Sequence, residues 1–241
     1  MLEITGLTKR YEDNKLALDN LNLMIDHGEI YVLLGANGAG KSTTINLICG
    51  FIPPSSGDIR ICGIDALTDR LKANSKIAYV SENVKLYETL TGYQNLSFFS
   101  SLTGKKRSRQ ELEDCLRDIG LQEEFIHKPV GNYSKGMRQK TGIAIAMIKE
   151  ADLILLDEPF SGLDPKAAHD FQRLIVNLKN KGKIILMSTH DIFRAKEMAD
   201  QIGIMKNGEL VLSRTKKDLE FEDLEKLYID YMEGKLGAEY V

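Results

Sequence analysis

The sequence predicts an α/β fold: a mostly parallel sheet flanked by helices, an antiparallel β part near the N-terminus and a block of helices inserted midway. Three observations carry this. Apolar runs such as "EIYVLL" (29–34) and "KIAYV" (76–80) suit buried strands, and "DLILLD" (152–157) and "KIILMS" (183–188) bring strands back later in the chain. Leu16, Leu18, Leu21, Leu23 and Ile25 almost alternate, the pattern of a half-buried antiparallel strand. Between about Thr89 and Asp152 the texture is helical.

The elements follow in order. "EIYVLL" enters a glycine-rich loop, and "KSTTINLIC" leaves it as a helix. "PPSSG" (53–57) is a turn before the short strand "DIRIC". Thr91 caps "GYQNLSFFSSL", and Ser108 with Glu111 forms a capping box for "RQELEDCLRDI", which Gly120 ends. "GNYSKGMRQK" (131–140) starts a third helix, which runs to about Lys149, with Ser134 at the N-cap. Asp164 at a cap and Pro165 at the first position announce a helix that ends near Gly182. Asn207-Gly208 turns a hairpin, and the tail places Leu224, Leu227, Tyr228 and Tyr231 on one helical face.

Length and composition exclude several classes. At 241 residues the chain buries a substantial core as one large domain or a core with an inserted lobe. A net charge of −3 gives no pull toward nucleic acid or an anionic membrane. The compact basic run "GKKRSR" (104–109) reads as a solvated loop. Cys49, Cys62 and Cys115 are widely spaced, which suits a reducing cytosol and neither a disulfide framework nor a metal site. The N-terminus has no apolar signal-peptide core, and no uncharged run approaches a spanning helix.

"GANGAGKS" (Gly35 to Ser42) matches G-x-x-x-x-G-K-[ST] between a buried strand and a helix. Its backbone N–H groups, from Gly35 through Asn37, Gly38, Ala39, Gly40 and on to Thr43, are suited to cradling phosphates. Lys41 supplies charge at the β- and γ-phosphates, and the Ser42 hydroxyl is a Mg²⁺ ligand. This much predicts a P-loop NTPase or kinase and no more. "LILLDEP" ends a strand in two carboxylates: Asp157 to hold Mg²⁺ and Glu158 to polarise the water that attacks the γ-phosphate. His190 follows the next strand and is expected at the same sheet edge, near the γ-phosphate. His27, His127 and His169 have no such context. Ser134 and Gly136 make a second anion-binding helix start, a hundred residues after the first.

Loop, "SKGM", "LILLDEP", "SGLD" and "STH", in this order and spacing, resemble the nucleotide-binding subunit of an ABC transporter, over residues 1 to about 213. The resemblance implies a RecA-like ATP-binding core (1–88 and 153–213), an inserted helical subdomain carrying the signature (89–152) and a short helical tail (214–241). It also implies why there are two anion sites. Two subunits pack head to tail, and Ser134, the Gly136 N–H and Asp164 of one meet the ATP held by the other's loop. Tyr11, 24 residues before the loop, is then placed to stack on adenine. The implied cofactors are ATP and Mg²⁺. The implied partners are a second ATPase subunit and a polytopic membrane permease, which holds the chain on the cytoplasmic face of the membrane; nucleic acid is not among them. The permease's cytoplasmic helices are expected in the groove near Glu82 to Tyr93.

Two positions depart from the family pattern. The usual LSGGQ is "YSKGM" here, with Lys135 in place of a glycine, and the usual glutamine after "IAYV" is replaced by Glu82 of Ser81-Glu82-Asn83. Glu82 lacks the amide donor but is a possible Mg²⁺ ligand. With "EPFSGLDP", these features look like the branch serving bacterial drug, bacteriocin and antibiotic exporters. Two other functions share parts of the pattern. A soluble ABC-type ATPase acting on ribosomes or nucleic acid usually has two fused cassettes or a coiled coil, and a P-loop small-molecule kinase needs neither "SKGM" nor "SGLD".

Overall fold

A computed structural model describes residues 1–12, 14–219 and 223–236. The first β unit contains β1 (Leu2–Arg10), β2 (Leu16–Ile25), β4 (Ser56–Ile61) and β5 (Ile64–Asp65), in the order β2-β1-β4-β5 with every pairing antiparallel. The larger sheet has the order β10-β9-β3-β8-β7-β6. Its members are β3 (Ile30–Leu34), β6 (Ile77–Val80), β7 (Leu153–Asp157), β8 (Ile184–Thr189), β9 (Gln201–Lys206) and β10 (Glu209–Thr215). All its pairings are parallel except β9 with β10, an antiparallel hairpin. That hairpin turns at Asn207 (φ 51°) and Gly208 (φ 88°), the pair of positive angles a tight two-residue turn requires.

The helices are α1 (Lys41–Cys49), α2 (Arg70–Ser75), α3 (Gly92–Ser101), α4 (Arg109–Asp118), α5 (Glu123–Ile126), α6 (Lys135–Lys149), α7 (Pro165–Asn180), α8 (Ile192–Met198), α9 (Lys216–Leu219) and α10 (Leu224–Met232). Four of them, α3 to α6, lie between β6 and β7 in the chain.

The central strands are apolar throughout because both faces are covered. Ile30, Val32 and Leu34 of β3 join Ile154, Leu156, Ile185 and Met187 in a cluster beneath α7, α8 and α10. The alternate residues Tyr31, Leu33, Leu153, Leu155, Ile184 and Leu186 pack instead with the four-stranded sheet and α1. The first cluster continues into the helical block through Leu96, Leu112, Leu116, Ile126 and Ile143, so one apolar layer runs from sheet to insertion.

The caps form as the sequence indicates. Ser108 and Glu111 make a reciprocal box, Asp164 accepts from Ala167 N–H at 2.9 Å, and Ser134 accepts from Met137 N–H at 3.2 Å. Thr91 forms a further box with Gln94, and α10 buries Leu224 and Tyr231 as its apolar face indicates. Residues 220–222 and 237–241 of the tail lie outside the described residues.

The basic run is an exposed loop, as expected, and it also carries ion pairs. Lys105 pairs with Glu150, and Arg107 donates to Glu150 Oε1 at 2.6 Å and to Ile148 O at 2.8 Å. The run therefore fastens the loop before α4 to the C-terminal end of α6. The strand β1 and the short helices α2 and α8 are further additions to the sequence-based reading. Cys49, Cys62 and Cys115 form no disulfide. Among the described residues no helix is long and apolar enough to cross a membrane.

Candidate nucleotide site

Parallel pairing brings three chemistry-bearing loops to one edge. Leu34 pairs with Thr189 and Asp157 with Ser188, so Gly35, Glu158 and His190 all leave the sheet at its carboxyl end. There the loop 35–43 turns into α1. Gly40 is the N-cap of α1 at φ 111°, with no side-chain cap, so the helix's first N–H groups face the loop. A Cβ on Gly40 would lie 3.0 Å from Ala17 O and 3.0 Å from Met205 Cε, while one on Gly35 would lie 2.6 Å from Met205 O. Both glycines are required by close backbone approach.

Lys41 is buried, and its ammonium donates to the carbonyls of Gly35 at 2.6 Å and Ala36 at 3.2 Å. It also lies 3.6 Å from Glu158 Oε1. Ser42 Oγ donates to Asp157 Oδ1 at 3.2 Å, and Ser188 Oγ donates to the same oxygen at 2.5 Å. Serine hydroxyl and carboxylate are the hard oxygen donors that suit Mg²⁺, which retains most of its own waters and needs few protein ligands. Ser42 and Asp157 thus fit the expected cation. Beside them, burial and, to a lesser extent, the Asp157 carboxylate push the Tyr79 phenol up to about 12.

Glu158 has φ 47°, an unusual angle for a non-glycine residue. Its N–H donates to Ser188 Oγ at 3.1 Å and Ser188 O at 3.2 Å, which holds the angle in place. One carboxylate oxygen, Oε2, lies 3.0 Å from His190 Nδ1. The other, Oε1, is buried and has no hydrogen-bond donor among the described residues.

A 580 Å³ cleft opens over this edge. Tyr11, Asn37, Gly38, Ala39, Gly40, Lys41, Ser42, Thr43, Glu82, Asp157 and Glu158 line it, as do Leu16, Ala17 and Asn207. Tyr11 is 39% exposed, with Lys9 Nζ 5.2 Å from its ring centroid. Gly35 contributes its carbonyl to Lys41, and His190 reaches the site through Glu158. Ser134, Gly136 and Asp164 do not line the cleft. They sit together elsewhere: a Cβ on Gly136 would lie 3.0 Å from Ala167 Cβ, on the first turn of the helix Asp164 caps.

Glu82 lines the cleft, but its Oε1 accepts from Ser161 Oγ at 2.8 Å and lies 3.4 Å from Lys135 Nζ. The Ser161 hydroxyl, and next Lys135, hold its carboxyl below the usual carboxylate value. Sequence reasoning missed three contributors: Ser188, Ser161 and Gln139. Buried Gln139 donates from Nε2 to Ser81 O at 3.1 Å and Glu82 O at 2.7 Å. Gln139 stands among polar neighbours in the first half of α6 and gave no signal, whereas a serine near the end of an apolar strand was the signal for Ser188.

The chain is similar to known proteins in sequence and in fold. The sequence profile described as "ABC transporter" matches residues 18–161. The bacitracin transport ATP-binding protein BcrA of Bacillus licheniformis is 35% identical over 98% of this chain and 75% of its own length. A solved ATP-binding subunit of an ABC transporter superposes with a TM-score of 0.85 at 33% identity, over 96% of this chain and 99% of that one. The ATP-binding cassette MJ0796, solved as a dimer in a post-hydrolysis state with ADP and Pi, gives 0.81 at 28% identity over 90% and 99%.

Proposed function

The chain belongs to the ABC transporter family and is one of its ATP-hydrolysing subunits, and from this premise we propose how its residues share the work and what it serves. Such subunits bind ATP and dimerise. In our reading the backbone N–H groups of Gly38 to Thr43 receive the β- and γ-phosphates, and Lys41 exchanges its two carbonyl contacts for phosphate oxygens. Ser42 and Asp157 hold Mg²⁺, whose charge offsets that of the triphosphate. Tyr11 packs on the base.

The observation that carries this reading is Glu158. Its Oε1 lacks a donor, while Oε2 is engaged by His190 and the backbone is fixed on Ser188. A carboxylate so oriented can accept a hydrogen bond from a water in line with the γ-phosphate and take its proton, leaving ADP and phosphate as products. His190 orients the carboxylate and reaches toward the γ-phosphate. Ser134, the Gly136 N–H and Asp164 serve the ATP of a second subunit packed head to tail, which accounts for their position outside their own chain's cleft.

We place the chain at the inner face of the membrane, bound to a permease subunit, and assign it to export. We rest this on the compounds that relatives are named for, bacitracin and drugs, which a cell gains by removing rather than importing. The groove expected near Glu82 to Tyr93 is a 330 Å³ cleft lined in part by Glu82, Val84, Lys85, Leu86 and Glu88. A separate 640 Å³ groove between β6 and the helical block, lined in part by Tyr79, Phe99, Leu102 and Ile145, is more apolar in these residues, and we place the docked permease helix there instead. Leu102 in the lining of this groove is 67% exposed, and Tyr87, packed on Phe99 beside it, is 49% exposed. The division into an ATP-binding core (1–88 and 153–213), an inserted signature subdomain (89–152) and a tail (214–241) belongs to the same proposal. A mild-detergent pull-down from membranes, combined with an ATPase assay, tests it. Stoichiometric recovery of a polytopic membrane protein that stimulates hydrolysis is expected; recovery of soluble partners only would overturn the permease assignment.

A further inference from the structure

We propose that Glu82, Ser161 and Lys135 form a clamp within one chain that ties the start of α6 to the loop after β6 and to the loop after β7, making Glu82 a positioning residue. The proposal rests on the ATPase reading above and goes beyond it. Glu82 is 53 residues from Lys135 and 79 from Ser161 in sequence, yet one oxygen, Oε1, meets both, at 3.4 Å and 2.8 Å.

Backbone features reinforce the contact. Gly162, at φ 65°, carries the loop beneath the lysine, where a Cβ would lie 3.5 Å from Lys135 Nζ and 3.6 Å from Cδ. On α6 the Gln139 amide holds the carbonyls of Ser81 and Glu82. One turn further on, a Cβ at Gly142 would lie 3.0 Å from Val80 and 3.3 Å from Val84, so α6 is seated directly on the loop.

Two of the three tied segments, the start of α6 and the loop after β7, carry Ser134, Gly136 and Asp164, the groups that lie outside the cleft of their own chain. A clamp on their roots fixes the relative position of these groups before they meet anything else. It also explains the two departures at once. The positive charge added at position 135 is met by the negative charge added at position 82, and a Glu82 oxygen bonded to both Ser161 and Lys135 is committed to the clamp rather than to the cation.

Charge reversal tests the clamp. Steady-state ATP hydrolysis is measured for the full chain, for Glu82→Lys, for Lys135→Glu and for the double variant. Each single change is expected to lower kcat by about tenfold, and the double to return to within about threefold of wild type. A double variant no faster than the slower single one overturns the clamp. Thermal melting of each variant separates a lost contact from a lost fold, and the milder pair Glu82→Gln and Lys135→Met replaces any variant that does not fold. For that pair the combined loss is expected to equal the larger single loss, with an unchanged Mg²⁺ concentration for half-maximal rate. A raised Mg²⁺ requirement in Glu82→Gln would assign Glu82 to the cation and overturn the clamp. A wild-type chain that hydrolyses no ATP removes the ATPase reading itself, whereas an unrescued double variant in a hydrolysing background removes only the clamp.

Discussion

His190 Nδ1 lies 3.0 Å from Glu158 Oε2, while the opposite oxygen of the same carboxylate faces the Lys41 ammonium at 3.6 Å. The carboxylate is thus held between a histidine and a lysine, one at each oxygen. Replacing it by an amide keeps the shape and the contact with His190 but removes the proton acceptor. Glu158→Gln is expected to lower kcat at least about 100-fold while retaining ATP, because the donors that hold the phosphates are untouched. Size-exclusion chromatography with ATP is expected to show the variant as a stable dimer; wild-type turnover would remove Glu158 from its role.

Gly40 sits at φ 111° with its α-hydrogen against Ala17 O and Met205 Cε. Gly40→Ala adds backbone strain and a contact of 3.0 Å to a carbonyl. The expected cost is about 1–3 kcal/mol, seen as a lower melting temperature. ATP binding, followed by calorimetry, is expected to weaken with it, since the same backbone forms the phosphate cradle.

Asp164 caps α7, so an effect on activity has to be separated from an effect on the helix. Asp164→Ala is expected to cost about 1 kcal/mol of stability, whereas Asp164→Asn keeps a cap acceptor and close to the wild-type melting temperature. If Asp164 also meets the second subunit's nucleotide, the Asn variant melts normally and hydrolyses ATP more slowly. Equal melting and equal activity would leave it as a cap alone.

Lys105, and next Arg107, lower the Glu150 carboxyl from 4.5 to about 2. A carboxylate depressed in the folded state contributes stability above its unfolded value and loses it as the pH falls from about 4.5 toward about 2. Glu150 is exposed, so the contribution is small and screened by salt. Glu150→Gln is expected to melt slightly earlier than wild type near neutral pH. The difference should vanish toward the acid end of that window and shrink in about 1 M salt.

The parts legible in the sequence are those whose cause is local. The phosphate loop follows from glycines at fixed offsets before Lys41, and the caps at Ser108, Ser134 and Asp164 depend on residues three positions away. The buried strands declare themselves because both faces are covered. β1 was hidden because Gly6, at φ 58°, and repeated register shifts break its alternation. The seven residues of α8 are too few to display a helical period. The contacts of Glu82 were hidden for a different reason. Its chemistry allows a cation ligand, and the partners it has in the structure, Lys135 and Ser161, are brought to it only by the docking of α6 on Val80 and Val84. No window of sequence contains that contact.

Ser134, Gly136 and Asp164 lie outside the cleft that Lys41 and Glu158 line, and this has a kinetic consequence. If each cleft is completed from another molecule, hydrolysis by the isolated chain is of second order in protein at low concentration, and the rate per molecule climbs as the solution is concentrated. A permease that holds two chains side by side replaces bulk concentration with a fixed local one, of millimolar order for short tethers. Fuel consumption is then confined to chains seated on their transporter, with no separate inhibitor required to silence the rest.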